Sequence, residues 1–155
     1  MTDRAESLGV VIVDNSEEVR SALGLVIDGQ SDLEMLGAAG GVNEGIAMVR
    51  QLRPDVVVLD VNMPDGGGQR AAREMTEVAP EVRIIAFSAF DKALIRKVMT
   101  AAGAEAYISK SGNIRELLAA IRGAGEPGVD EPDPAAKPSV PWSDVDEGTA
   151  VGSIA

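Results

Sequence analysis

The feature that most limits what this chain can fold into is an alternation. Short apolar runs, rich in β-branched residues, recur at 8–13 (LGVVIV), 33–38 (LEMLGA), 56–59 (VVVL), 82–87 (VRIIAF) and 106–108 (AYI). Between them the apolar residues change to helical spacing. Val19, Leu23, Val26 and Ile27 fall on one face, as do Leu94, Ile95, Val98 and Met99, and likewise Ile114, Leu117, Leu118 and Ile121. A run that is apolar at every position, such as Val56 to Leu59, suits a strand covered on both faces. Strand then helix, five times over, implies a parallel sheet with helices on both sides. Aromatic residues are only 3% of a chain that is 45% hydrophobic, so the core must be Val, Ile, Leu, Met and Ala. Punctuation agrees: Ser16, Asn43, Asp91 and Asn113 are expected N-caps, with Asn113 and Glu116 spaced as a capping box. Pro54, Pro80 and Gly103 stand where helices should stop.

In an open parallel sheet, sites form at the carboxyl ends of the strands. The expected first strand runs into Asp14 and Asn15, the third into Asp60, the fourth into Ser88 and the fifth into Lys110. Two carboxylates, a carboxamide, a hydroxyl and an ammonium therefore meet at one rim. The acids would repel one another unless a cation lies between them. Oxygen-only ligands select a hard ion such as Mg²⁺. With Lys110 as a second positive centre, the rim is equipped to bind a phosphoryl group, and Asp60 to accept one as nucleophile. Taken singly, each residue reads as a helix cap, a turn or a solvated side chain, and Met63-Pro64-Asp65-Gly66 reads as a plain turn. The signal lies in their arrival at one edge.

Composition removes other chemistries. The chain has no histidine and no cysteine, so a Ser-His-Asp triad, an imidazole base and a thiolate or imidazole zinc site are all absent. A net charge of −11 has the wrong sign for direct nucleic-acid binding. No apolar run approaches the roughly 20 residues of a membrane span, and the first residues do not read as a signal segment. The expectation is a soluble, cytoplasmic protein. From residue 124 the composition shifts: 124–155 holds five of the eight prolines, seven acids and one base, Lys137. Such a segment is expected to be disordered, leaving 8–123 as the folded domain; Trp142 is a candidate docking residue within the tail.

"VVIVDNSEEVR", "RPDVVVLDVNMPDGGG", "IIAFSAF" and "GAEAYISKSGNIREL" resemble, in order and spacing, the receiver domain of bacterial two-component response regulators, closest to LuxR/NarL-type regulators. The resemblance implies a flavodoxin-like (βα)5 sandwich with parallel strand order 2-1-3-4-5. It makes Asp60 the phosphoacceptor for a sensor histidine kinase. It assigns Asp14, Asn15, Asp60 and the backbone carbonyl of Asn62 to Mg²⁺, Ser88 and Lys110 to the phosphate, and Tyr107 to an aromatic switch. Ala89 leaves room for the phosphoryl group, and Pro64 and Gly68 match the loop after the acceptor. The chain would then be a phosphoacceptor, not an enzyme in the usual sense. On phosphorylation, the face formed by the fourth helix, fifth strand and fifth helix would change shape for a downstream protein. A homodimer is compatible with such a domain.

Three departures stand out. Asn15 occupies a position where the family usually has a second acid, which weakens the case for metal binding. Ser111 follows Lys110 where many receivers have proline. An acidic tail, and no DNA-binding domain, follows residue 123; it reads as an interdomain linker whose DNA-binding half is lost or lies elsewhere. Asn15 also supports an alternative: a receiver-like interaction module that works without phosphorylation. A phosphatase of the haloacid dehalogenase type also uses a strand-end Asp, Mg²⁺, a hydroxyl and a lysine. It wants a proton-donating acid where this chain has Asn62, and room for a cap domain.

Overall fold

The computed structural model describes residues 7–64, 67–90 and 92–123. The expected tail at 124–155 with Trp142, the turn residues Asp65 and Gly66, and Asp91 lie outside the described residues. The elements are β1 (Leu8–Val13), α1 (Glu17–Asp28), β2 (Leu33–Ala39), α2 (Val42–Leu52), β3 (Val56–Asp60), α3 (Gly67–Val78), β4 (Arg83–Ser88), α4 (Ala93–Ala102), β5 (Ala104–Ser109) and α5 (Ile114–Arg122). The sheet has the order β2-β1-β3-β4-β5, and its pairings are parallel. This is the flavodoxin-like arrangement expected from the sequence.

Period-two alternation builds the layers. Val11, Val13, Val57, Leu59, Ile84 and Ala86 face a core closed by Val42, Ile46 and Val49 of α2, Ala71, Ala72 and Met75 of α3, and Met99 of α4. Val10, Ile12, Val56, Val58, Ile85 and Phe87 face the opposite core, closed by Val19, Leu23 and Ile27 of α1 and Leu117 and Ile121 of α5. Three helices therefore cover one face and two the other. β3 is buried at every position, which is why its sequence shows no alternation. β1 pairs with β2 on one side and β3 on the other, so the chain reverses its direction of winding between β1 and β3. A crevice opens there at the strand carboxyl ends.

Four local expectations are corrected. The N-cap of α2 is Gly41 rather than Asn43, which lies inside the helix and accepts a hydrogen bond from Arg70 on α3 instead. The N-cap of α4 is Lys92, without a side-chain cap bond. The Asn113 side chain caps α5 through the N–H of Arg115 rather than that of Glu116. The α4 stripe is not all core: Met99 is buried, but Leu94 is 71% exposed. The caps expected at Ser16 and Gly103 are present; the Ser16 side chain accepts from Val19, and Gly103 is left-handed with φ 119.

The glycines inside α1 and α2 have opposite surroundings. A Cβ on Gly45 would lie 2.9 and 3.0 Å from the two methyls of Val13, whereas a Cβ on Gly24 would meet nothing within 4 Å. Val13 is β-branched on a central strand and has little freedom to yield. Replacing Gly45 with Ala should therefore lose about 1 kcal/mol net, because overpacking outweighs the gain in helix propensity. Gly24→Ala should gain about 0.5–1 kcal/mol. Urea unfolding midpoints moving in opposite directions at unchanged m would bear this out.

Candidate functional site

Register carries the chemistry to one rim. Val13 pairs with Leu59, so Asp14 and Asp60 are the next residues along adjacent strands. Asp60 pairs with Phe87, and Ser88 with Ser109, which places Ser88 and Lys110 at the same end. The loop after Asp60 folds back tightly: Gly68 donates its N–H to the Val61 carbonyl. A Cβ on Gly68 would lie 2.8 Å from the Asp60 carbonyl oxygen, so only glycine fits this approach.

Lys110 joins the two acids. Its Nζ is 2.9 Å from Asp14 Oδ2 and 3.6 Å from Asp60 Oδ1, and lies 5.6 Å from the centre of the Phe87 ring. The nearer partner is Asp14, not Asp60. Asp14 Oδ2 nevertheless receives no well-aligned hydrogen bond from the described residues, so its contact with Lys110 is an attraction of charges at short range. The other oxygen, Asp14 Oδ1, accepts from the Ser16 N–H at 2.9 Å. Asp60 Oδ1 accepts from the Asn62 N–H at 3.1 Å. Asp14, Asp60 and Ser88 are 1%, 3% and 0% exposed. The Ser88 hydroxyl oxygen accepts from the Phe90 N–H at 3.0 Å.

Burial pushes the Asp60 carboxyl from its ordinary 3.8 up to about 6. The Lys110 charge pulls against this, the Asp14 charge adds to it, and the Asn62 N–H offsets part of it. Two buried acids share one ammonium, and one acid oxygen lacks an aligned donor. That set fits a hard divalent cation. No group of three or more Asp or Glu that could hold a metal exists among the described residues. Asn15 and Asn62 are exposed, beside the acids in sequence. Asn62 is tied to Asp60 through its backbone.

Tyr107 is half-buried on β5. Its hydroxyl donates to the Phe90 carbonyl, and the Arg96 guanidinium carbon lies 4.8 Å from its ring centre. Three residues that sequence reasoning missed thus adjoin the site. Arg20 donates to the Asp14 carbonyl at 2.8 Å, Phe90 links Ser88 to Tyr107, and Arg96 covers Tyr107. No sequence spacing signals these contacts, because each depends on where a loop or helix lands.

A family model described as the response regulator receiver domain matches residues 10–122. The DNA-binding transcriptional activator DevR/DosR of Mycobacterium tuberculosis is 35% identical over 118 residues, 75% of this chain and 54% of that protein. The uncharacterized transcriptional regulatory protein YxjL of Bacillus subtilis is 33% identical over 119 residues, 77% of this chain and 55% of that protein. The chain therefore spans about half the length of the curated relatives it matches. Among solved structures, the response regulator domain of Thermotoga maritima CheB superposes with TM-score 0.70 at 29% identity, covering 81% of this chain and 99% of that one. The CheX-CheY-BeF3-Mg²⁺ complex from Borrelia burgdorferi shares the fold at TM-score 0.71 and 22% identity, over 79% of this chain and 92% of that one.

The raised Asp60 carboxyl has a measurable consequence. Unfolded, it releases its proton near 3.8; folded, it holds the proton to about 6. Between these values the folded state binds more protons, so stability falls as pH rises through the window. By pH 7 the loss is complete, at about 3 kcal/mol. Asp60→Asn removes the buried charge while Lys110 keeps Asp14. It should raise stability at pH 7 by about 1–3 kcal/mol and lose that advantage near pH 4. Chemical denaturation at the two pH values reads the difference.

Proposed function

This chain belongs to the response regulator receiver family, and from that premise we propose that Asp60 is its phosphoacceptor. Receivers of this family act in phosphorylation-dependent signalling. They accept phosphate and are not enzymes in the ordinary sense. The observation that carries the assignment is the single ammonium, Lys110, within 2.9 and 3.6 Å of two nearly inaccessible carboxylates on adjacent strands.

The donor is the phosphohistidine of a sensor histidine kinase, and the reaction belongs in the cytoplasm. Asp60 is ionised at neutral pH, yet more basic than an ordinary aspartate, which strengthens it as a nucleophile. An Asp60 carboxylate oxygen forms the new bond to phosphorus as the bond from phosphorus to the imidazole nitrogen breaks, the nitrogen keeping the electron pair. Lys110 moves its charge from the free carboxylates to the phosphoryl oxygens. Asp14, Asn15, Asp60 and the Asn62 carbonyl would hold Mg²⁺, which would supply further positive charge against those oxygens. The Ser88 hydroxyl then donates to a phosphoryl oxygen and lets go of the Phe90 N–H it now accepts. Tyr107, half-buried on the neighbouring strand β5, follows into the space that the hydroxyl leaves. The surface of α4, β5 and α5 changes, and a downstream protein reads it.

One observation favours a second reading. No group of three or more acids stands at the site among the described residues, and Asn15, next to Asp14, carries no charge. A receiver with a weakened metal site can serve as an interaction module without phosphorylation. Intact-mass measurement after acetyl phosphate treatment, with and without Mg²⁺, separates the two. The switch predicts an adduct of one phosphoryl group that requires Mg²⁺ and disappears in Asp60→Asn. Absence of any adduct in the wild type, with acetyl phosphate and with a phosphorylated kinase alike, favours the module.

A further inference from the structure

We infer that Arg20 is a positioning residue for the cation site: from α1 it holds the Asp14 carbonyl, and so fixes the loop that presents Asp14 and Asn15. The inference rests on the proposed role of those two residues toward Mg²⁺ and extends it to a side chain on the helix that follows them.

Arg20 stands near the amino end of α1, where the helix dipole disfavours a cation. It is the only base in α1, whose first turn carries Glu17 and Glu18. No carboxylate among the described residues pairs with it. Its half-buried side chain instead reaches back toward the helix start, as helical side chains do. There Nη1 donates to the Asp14 carbonyl at 2.8 Å. The Asp14 N–H donates in turn to the Ala39 carbonyl at 3.0 Å. Both backbone polar groups of Asp14 are thus engaged, one with β2 and one with α1. The Asp14 carboxylate, and Asn15 after it, take their positions from that backbone.

The guanidinium lies in a gap left by a glycine. Gly40 and Gly41 alone separate β2 from α2. A Cβ on Gly40 would lie 2.8 Å from Arg20 Nη1 and 3.4 Å from its Cζ, and its three nearest neighbours would all be atoms of Arg20. The Gly40 N–H donates to Glu44 Oε1 at 3.1 Å. That bond ties the glycine to α2, so an added methyl would move the guanidinium rather than the backbone. Arg20 acts on a bound cation in two opposite ways. Its charge repels the cation, so losing the charge alone should tighten Mg²⁺ binding. Its hydrogen bond orders the ligands beforehand, so losing the bond should weaken Mg²⁺ binding. The sign of the change therefore separates positioning from simple electrostatics.

Mg²⁺ titration of the full chain, followed by backbone amide NMR, provides the test. Arg20→Gln should bind Mg²⁺ about tenfold more weakly than wild type, the low end of the loss when a group that holds a metal ligand in place is removed. Gly40→Ala keeps the charge but displaces the guanidinium, and should weaken binding about two- to fivefold, as for a weakened hydrogen bond. Adding Gly40→Ala to Arg20→Gln should change little further, because the methyl then has no guanidinium to displace. In metal-free protein, both single variants should speed hydrogen exchange of the Asp14 amide and of the Ser16 amide, which donates to Asp14 Oδ1. Unchanged or tighter Mg²⁺ binding in Arg20→Gln, or unaltered exchange in both variants, would overturn the inference. A wild type that bound no Mg²⁺ would sink the proposed cation site, and the exchange rates would still decide whether Arg20 holds the loop.

Discussion

The structure turns on two carboxylates buried at the ends of adjacent strands and held by one lysine. Burying a charge is costly unless it is paired and hydrogen-bonded. Here Asp14 and Asp60 are almost wholly inaccessible, and Lys110 stands between them. The compensation is incomplete: burial pushes the Asp60 carboxyl up to about 6, and one Asp14 oxygen lacks an aligned donor among the described residues. The fold tolerates this because the rest of the sheet is densely apolar. β1, β3 and β4 bury nearly every side chain between two helical layers. A pocket that is electrostatically unsatisfied on its own is one that a cation and an anion, bound together, can complete.

Much of this was legible from the sequence, for a physical reason. Parallel strands buried on both faces must be continuously apolar, so their ends are visible as the first polar residue. That residue is also the one delivered to the functional rim. Asp14, Asp60 and Ser88 could be grouped on that ground alone, whereas Lys110 follows Ser109 at the end of a half-buried edge strand and is placed by its position after β5. The misses have a common cause as well. Asn43 has good cap chemistry, but the helix begins at Val42 and a glycine takes the cap. Leu94 has core spacing, yet α4 is seated so that its stripe meets the core mainly through Met99. Pattern gives a helix its face; how deeply the helix sits is decided by neighbours far away in the chain. The same limit hid Arg20, Phe90 and Arg96.

The two acids at the rim are not held equally. Lys110 comes within 2.9 Å of Asp14 and leaves Asp60, at 3.6 Å, the more distant partner. Burial, to which the nearby Asp14 charge adds, holds the Asp60 carboxyl above its ordinary value against the pull of Lys110. From there a continuous line of contacts runs outward through Ser88, Phe90 and Tyr107 to Arg96 on α4. The least anchored helix of the domain lies at the far end of that line. A change of charge at the pocket thus has a short mechanical route to an exposed surface.

The most direct measurement is a carbon-13 NMR titration of the Asp60 side-chain carboxyl, without and with Mg²⁺. A pocket of two buried acids around one lysine predicts a midpoint of about 6 without the ion, moving to lower pH as Mg²⁺ is added. A midpoint at the ordinary 3.8, indifferent to Mg²⁺, would mean that Asp60 is neither confined with Asp14 nor part of a cation site.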